Sequence, residues 1–198
     1  AIYKKYINLT NFNYEILEKV INNLILYKKK NSKYFKDNSI SNDLIEKLFN
    51  IQYQDINLLY QLKKTKESNK LITELYNNKV EDISRILMKL IYFFDESLFS
   101  KNLQLSIFEK KIYRSKVIEV FEESLSIDMK NKIIPLIDSI KLEEKNNIGL
   151  KHYDNLGSIN LDNNFLEKNI HQDPWYDFII LTRLYLEDNK TIDSSQLL

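Results

Sequence analysis

His152-x-Asp154 and His171-x-Asp173 are the residues of this 198-residue chain best suited to chemistry. An imidazole beside a carboxylate can hold a metal or serve as an oriented general base. These are the chain's two histidines, and both lie in 148–172, which also carries the two glycines, Gly149 and Gly157. Irregular stretches of that length inside a domain are often functional. The same residues also have a structural use, because Asp173 before Pro174 is a helix N-cap followed by a first-turn proline. An enzyme built on His152 and His171 is one reading of the segment.

Other site chemistries are excluded. Asn160, Asp162 and Asn164 alternate like the first ligands of a calcium loop. Phe165 takes the place of its sharp-turn glycine, and His171 the place of its final glutamate. Two glycines cannot build a phosphate-cradling loop, a dinucleotide fingerprint or a nucleophile elbow. Zero cysteine removes disulfides, thiolate zinc sites and cysteine nucleophiles. No Arg is followed at four to six residues by His, which argues against the helical ribonucleases that use such a pair. Asp177 and Arg183 fall on one apolar stretch, where they satisfy one another or their neighbours. No cofactor and no metal are expected.

Charge is the strongest signal. Residues 1–116 hold 21 Lys+Arg against 13 Asp+Glu, and residues 117–198 hold 8 against 15, so +8 and −7 hide behind a total of +1. Such asymmetry points to a charged partner. The basic runs are Lys28-Lys29-Lys30 with Lys33 and Lys36, Lys63-Lys64-Lys66, and Lys110-Lys111 with Arg114 and Lys116. Tyr27, Tyr34 and Phe35 interleave the first, a pattern able to track a phosphate backbone and stack on bases. The chain is also rich in Lys, Asn, Ile and Leu with three Arg and one Ala, a codon bias that makes lysine runs common. Among the acids, Glu119, Glu122 and Glu123 share one side of a helical wheel, opposite Val117, Val120 and Phe121. Asp128, Asp154, Asp162, Glu187 and Asp188 extend the acidic set. A surface of this sign speeds encounter with a basic protein and orients it.

These groups must be positioned by helices. Ile16, Leu17, Val20, Ile21 and Leu24 form one 3.6-period stripe, and Ile45, Leu48, Phe49, Ile56, Leu59 and Tyr60 a second. Ile83, Leu87, Leu90, Ile91, Phe94 and Leu98 form a third, and Tyr113, Val117, Val120 and Phe121 a fourth. Asp43-x-x-Glu46, Asn78-x-x-Glu81 and Asn164-x-x-Glu167 resemble capping boxes. The pattern predicts helices near 12–30, 42–64, 68–78, 80–99, 103–125, 127–146 and 174–188, with Pro135 kinking or starting the sixth. The irregular segment 148–172 holds at most a short helix near 164–170. The stretch 174–188 is apolar almost all round and reads as the central helix. The expectation is an all-α, single-domain irregular (orthogonal) bundle of about seven helices over 1–198. The N-terminus lacks a signal-peptide core, and Leu90–Phe94 and Phe178–Leu181 are far too short to span a membrane, so a cytoplasmic, membrane-free protein is expected.

Asp173-Pro174-Trp175-Tyr176-Asp177, the apolar run to Leu186 and the closing Glu187-Asp188 resemble a late helix of the all-helical immunity proteins. Those proteins protect bacteria from their own secreted polymorphic toxins. In that family the helix opens at an aromatic-Trp pair with an acid just after it, and ends on an Asp pair. Here Ile179, Ile180 and Leu181 replace the small residues expected mid-helix, and Asp173 and Pro174 replace the Gly and Tyr expected before the Trp. The resemblance covers about a tenth of the chain. It implies a helical, non-enzymatic inhibitor whose acidic surface occludes a basic toxin such as a nuclease. The partner-binding residues expected on this reading are Glu119, Glu122, Glu123, Asp128, Asp154, Asp162, Glu187 and Asp188. A nucleic-acid-binding protein using the N-terminal Lys clusters is the alternative, and the His152/His171 enzyme the second alternative. Oligomeric state is open, and head-to-tail pairing of opposite charges is one form it could take.

Overall fold

The computed structural model describes residues 14–31, 41–64, 70–154 and 156, and every regular element among them is helical. The α-helices are α1 (Tyr14–Lys30), α2 (Ser41–Lys64), α3 (Lys70–Phe94), α4 (Glu96–Ser100), α5 (Arg114–Ser124), α6 (Ile127–Ile137) and α7 (Leu142–His152). Two 3-10 turns, Leu105–Phe108 and Lys111–Tyr113, lead from α4 to α5. The chain is an all-α, single-domain irregular bundle.

Among the described residues the centre is the pair α2 and α3, the two longest helices, packed on one another. Phe49, Tyr53 and Ile56 on α2 and Ile83, Ile86 and Leu87 on α3 have no exposed surface. Each such side chain contributes roughly 1.5–3 kcal/mol by leaving water, so this pair anchors the fold. α1 lies on α3, α7 lies on α2, and α6 touches both α3 and α7. α5 then packs on α6, α4 and the two 3-10 turns. Because α2 is covered on several sides, its polar residues are buried too and must find partners. Gln52 Nε2 donates to Val80 O at 2.7 Å and to Ser84 Oγ at 2.8 Å, and Lys79 donates to Asp55 at 2.9 Å.

The first two expected helices are present, and three expectations are corrected. The predicted break between 68–78 and 80–99 does not exist, since α3 runs through Asn78 and Glu81. Tyr76, Lys79 and Ile83 are buried in sequence, so tertiary packing carries the helix across the apparent cap. The expected 103–125 helix begins only at Arg114, because residues 105–113 coil tightly to bury Phe108. Asn102, at φ 47°, turns the chain into that stretch in the left-handed region that Asn tolerates. The expected 127–146 helix is two helices. Pro135 does not start a helix; it sits in the last turn of α6, and Asp138 is extended. Ser126 caps α6 by accepting from Met129 N.

The segment expected to be irregular from 148 is helical to His152. Gly149 faces α2 so closely that a Cβ there would lie 2.6 Å from Tyr53 Cδ1. The glycine is therefore a helix-approach residue and not a loop residue. The expected helices 164–170 and 174–188, His171, and the segment carrying the immunity-protein resemblance lie outside the described residues.

Candidate interaction surface

α5 buries Val117 and Phe121 and turns Glu119, Glu122 and Glu123 outward. The sequence dictates this division, because the apolar and acidic positions alternate with helical period. Among the described residues the Glu119 and Glu122 carboxylates have no hydrogen-bond or ion-pair partner. Glu123 accepts from Lys101 at 2.6 Å, which holds its carboxyl below the ordinary range. One turn further on, Ile127 is 76% exposed at the first position of α6, followed by exposed Asp128. Asp128 accepts from Lys132 at 3.0 Å. Lys132 also reaches Glu46 at 2.8 Å; burial works against its ammonium, and the two carboxylates outweigh that and raise its pKa. A solvated isoleucine between acids is the pairing of apolar anchor and polar rim found at protein interfaces.

The other predicted partner-binding residues are not gathered here. Asp154 is exposed on the turn after α7, and Asp162, Glu187 and Asp188 lie outside the described residues. His152 is exposed at the end of α7, with its ring centroid 6.4 Å from that of Tyr153. Among the described residues no three His, Asp or Glu side chains converge as a metal site would require.

The basic runs are used differently from expectation. Lys28 is buried at 3% exposure. Its Nζ donates to Phe93 O at 2.7 Å and to Glu96 at 2.8 Å, and lies 4.2 Å from the centre of the Phe99 ring. It thus neutralises the carbonyl end of α3 and ties α1 to α4. Lys29 donates to Leu103 O at 2.6 Å, and burial lowers its pKa. Only Lys30 of this triplet is exposed, while Lys33, Lys36 and Lys66 lie outside the described residues. A phosphate backbone therefore cannot use the triplet as a unit. Lys111 pairs with Glu81 at 3.1 Å and Arg114 pairs with the same carboxylate. Lys110 and Lys116 are exposed, and among the described residues their ammonium groups have no partner.

Sequence reasoning missed one feature. Glu18 of α1 binds Arg85 of α3 through both carboxylate oxygens, at 2.7 and 3.1 Å, and accepts from Lys89 at 2.7 Å. Lys89 is fully buried and also reaches Glu109 at 3.3 Å. Arg85 bonds Asp82 as well. Beside this network a cleft of about 410 Å³ opens over Met88, Phe108 and Val117, rimmed by Glu81, Arg85, Glu109, Lys110 and Arg114. Its carboxylates are committed to cations, so it offers no free general base. Burial raises the Glu18 carboxyl, and the bonds from Arg85 and Lys89 outweigh burial to leave it below its ordinary value. The local signal was Asp82, Arg85 and Lys89 at helical spacing; their shared partner Glu18, 67 residues from Arg85 and 71 from Lys89, had none.

Compared with known protein families, curated proteins and solved structures, the chain matches none. Among the described residues no helix is long and apolar enough to cross a membrane.

Proposed function

We propose that this chain is a non-enzymatic, cytoplasmic binding protein that neutralises a basic protein partner, in the manner of a bacterial immunity protein or antitoxin acting on a secreted toxin. The observation that carries the reading is the outer face of α5 and the start of α6. There the unpaired Glu119 and Glu122 carboxylates stand in the chain on one side of exposed Ile127, with Glu123 and Asp128 beside it. Charge would steer the encounter and Ile127 would supply the apolar contact, leaving the partner's active site sterically blocked. A nuclease is the target class that best fits an acidic blocker, since its active site is built to hold phosphate.

The test is affinity capture of the tagged chain from its own cells, with half the lysate nuclease-treated. A basic protein retained in near-equal amount through the treatment supports the proposal. Reversing Glu119, Glu122 and Glu123 together should then slow its association and weaken protection. Unchanged association would move the interface away from α5. Material that disappears with nuclease would support nucleic-acid binding, for which Lys30, Lys110 and Lys116 are now the residues to neutralise.

A further inference from the structure

α5 packs on α6, α4 and the 3-10 turns, and between its first turn and α3 the cleft of about 410 Å³ remains. Sites that take small molecules measure roughly 300–1,000 Å³, so the space is large enough for one ring and its substituent. Its floor is apolar, formed by Met88, Phe108, Val117, Leu136 and Ile137, all of them buried. The charges around it are unevenly answered. Arg85 and buried Lys89 meet three carboxylates, Glu18, Asp82 and Glu109. Lys110, Lys111 and Arg114, which line the opposite lip, share only Glu81. Among the described residues Lys110 has no partner, and Arg114 commits one amino group to Glu81, leaving its other N–H donors unused. Positive charge is therefore in excess at this lip. Lys145, bonded to Leu136 O, registers it: burial lowers its pKa, and the Arg114 charge lowers it further. Helix formation does not call for Arg114 here, because a cation in the first turn opposes the dipole and no acid stands there to offset it.

We propose that this cleft binds a small molecule in which an oxyanion, carboxylate or phosphate, is carried on an apolar ring. The ring lies on Met88 and Phe108, where sulfur and aromatic edge both favour it. The oxyanion takes the free donors of Arg114 and Lys110, the fork of one and the point charge of the other. Glu81, Asp82 and Glu109 line the same space and repel a second negative group, so the cleft accepts charge at the Lys110–Arg114 end alone. Glu81 also competes with the ligand for Arg114 and Lys111, which keeps the affinity modest. None of this rests on the proposed function.

Titrating the isotope-labelled full chain with phenyl phosphate and with benzoate, and following backbone amide shifts by NMR, tests the site. At least one of the two should shift the amides of Phe108 to Val117 saturably, with Kd on the order of 1 mM for probes of this size. The stronger of the two identifies the oxyanion. Inorganic phosphate, which lacks the ring, and benzamide, which lacks the charge, should each bind at least about tenfold more weakly. Lys110→Gln changes an exposed side chain outside every ion pair above and so leaves the fold intact; it should weaken the better probe about threefold to tenfold. Glu81→Gln releases Arg114 and Lys111 and should tighten it. The proposal is overturned if neither oxyanion gives a saturable shift at these amides. Benzamide binding as well as benzoate, or an affinity unmoved by Lys110→Gln, would overturn it equally. Capture of a basic protein is read separately, so the two proposals fail independently.

Discussion

Replacing Glu18 by Gln should destabilise the fold by about 3 kcal/mol, because it strands the buried cation Lys89. Losing one member of a buried ion pair costs roughly 3–5 kcal/mol, most of it the penalty for the charge left behind. Lys89 has no exposed side-chain surface and would keep Glu109, at 3.3 Å and half in solvent, as its only counter-charge, with the Gln amide oxygen still able to accept, which places the cost at the low end. Arg85 is 28% exposed and keeps Asp82 at 2.8 Å, so its share is small. For a chain of this size, about 3 kcal/mol lowers Tm by roughly 6–12 °C. Urea unfolding followed by circular dichroism would show a lower midpoint at unchanged slope. Adding Lys89→Met removes the stranded charge and should return most of the loss, leaving about 1 kcal/mol. The Glu18 carboxyl is depressed in the folded state, so its contribution is complete above the unfolded pKa near 4.5 and lost as pH falls through the lower folded value. The parent should therefore lose stability in acid more steeply than Glu18→Gln. A cost under about 1 kcal/mol, or no rescue by Lys89→Met, would refute the burial of Lys89 between α1 and α3.

Gly149→Ala should lower stability by about 1 kcal/mol, since overpacking against Tyr53 at roughly 1–3 kcal/mol exceeds the helix-propensity gain of about 1. Tyr53 cannot yield easily, being fully buried with its hydroxyl donating to Lys132 O at 2.8 Å; a raised Tm would contradict this. Lys28→Ala should cost about 2–4 kcal/mol in thermal unfolding, whereas exposed Lys30→Ala should stay within about 0.5, and equal effects would deny Lys28 its role at the end of α3. Tyr53→Phe should cost about 1 kcal/mol by removing the buried hydrogen bond from its hydroxyl to Lys132 O, which chemical denaturation can resolve.

The legible parts of the fold were those where one period dominates. The stripes through Leu17 and Ile21 and through Leu48, Phe49 and Ile56 locate α1 and α2 because these positions face the core, although Ile16 of the first stripe is 56% exposed. Asn78-x-x-Glu81 misled because a capping box is a local signal, while Glu81 is held by Arg114 and Lys111 from a distant element. Asp43-x-x-Glu46 is similar, for Glu46 binds Lys132 and Tyr153. Gly149 resembled a loop glycine until Tyr53 was seen beside it. Of the acidic surface, Glu119 and Glu122 were readable from the wheel, whereas the partners of Glu123 and Asp128, and the exposure of Ile127, required the packing.

The charge split along the chain changes meaning once the residues are placed. A lysine counted in the +8 half acts on a partner only if its ammonium is in solvent and uncommitted. Lys28, Lys79 and Lys89 are buried against Glu96, Asp55 and Glu18. Each pair cancels within the basic half and adds nothing to the outer field, which falls off with the separation of unpaired charges. The acidic half cancels across the boundary instead, through Lys101 with Glu123 and Glu46 with Lys132. What survives around α5 is Lys110 and Lys116 toward its N-terminal end, Glu119 at its middle and Glu122 toward its C-terminal end. That short dipole is the charge a partner would meet. Its acidic side suits a basic protein, so added salt and Glu119→Gln should each weaken that contact.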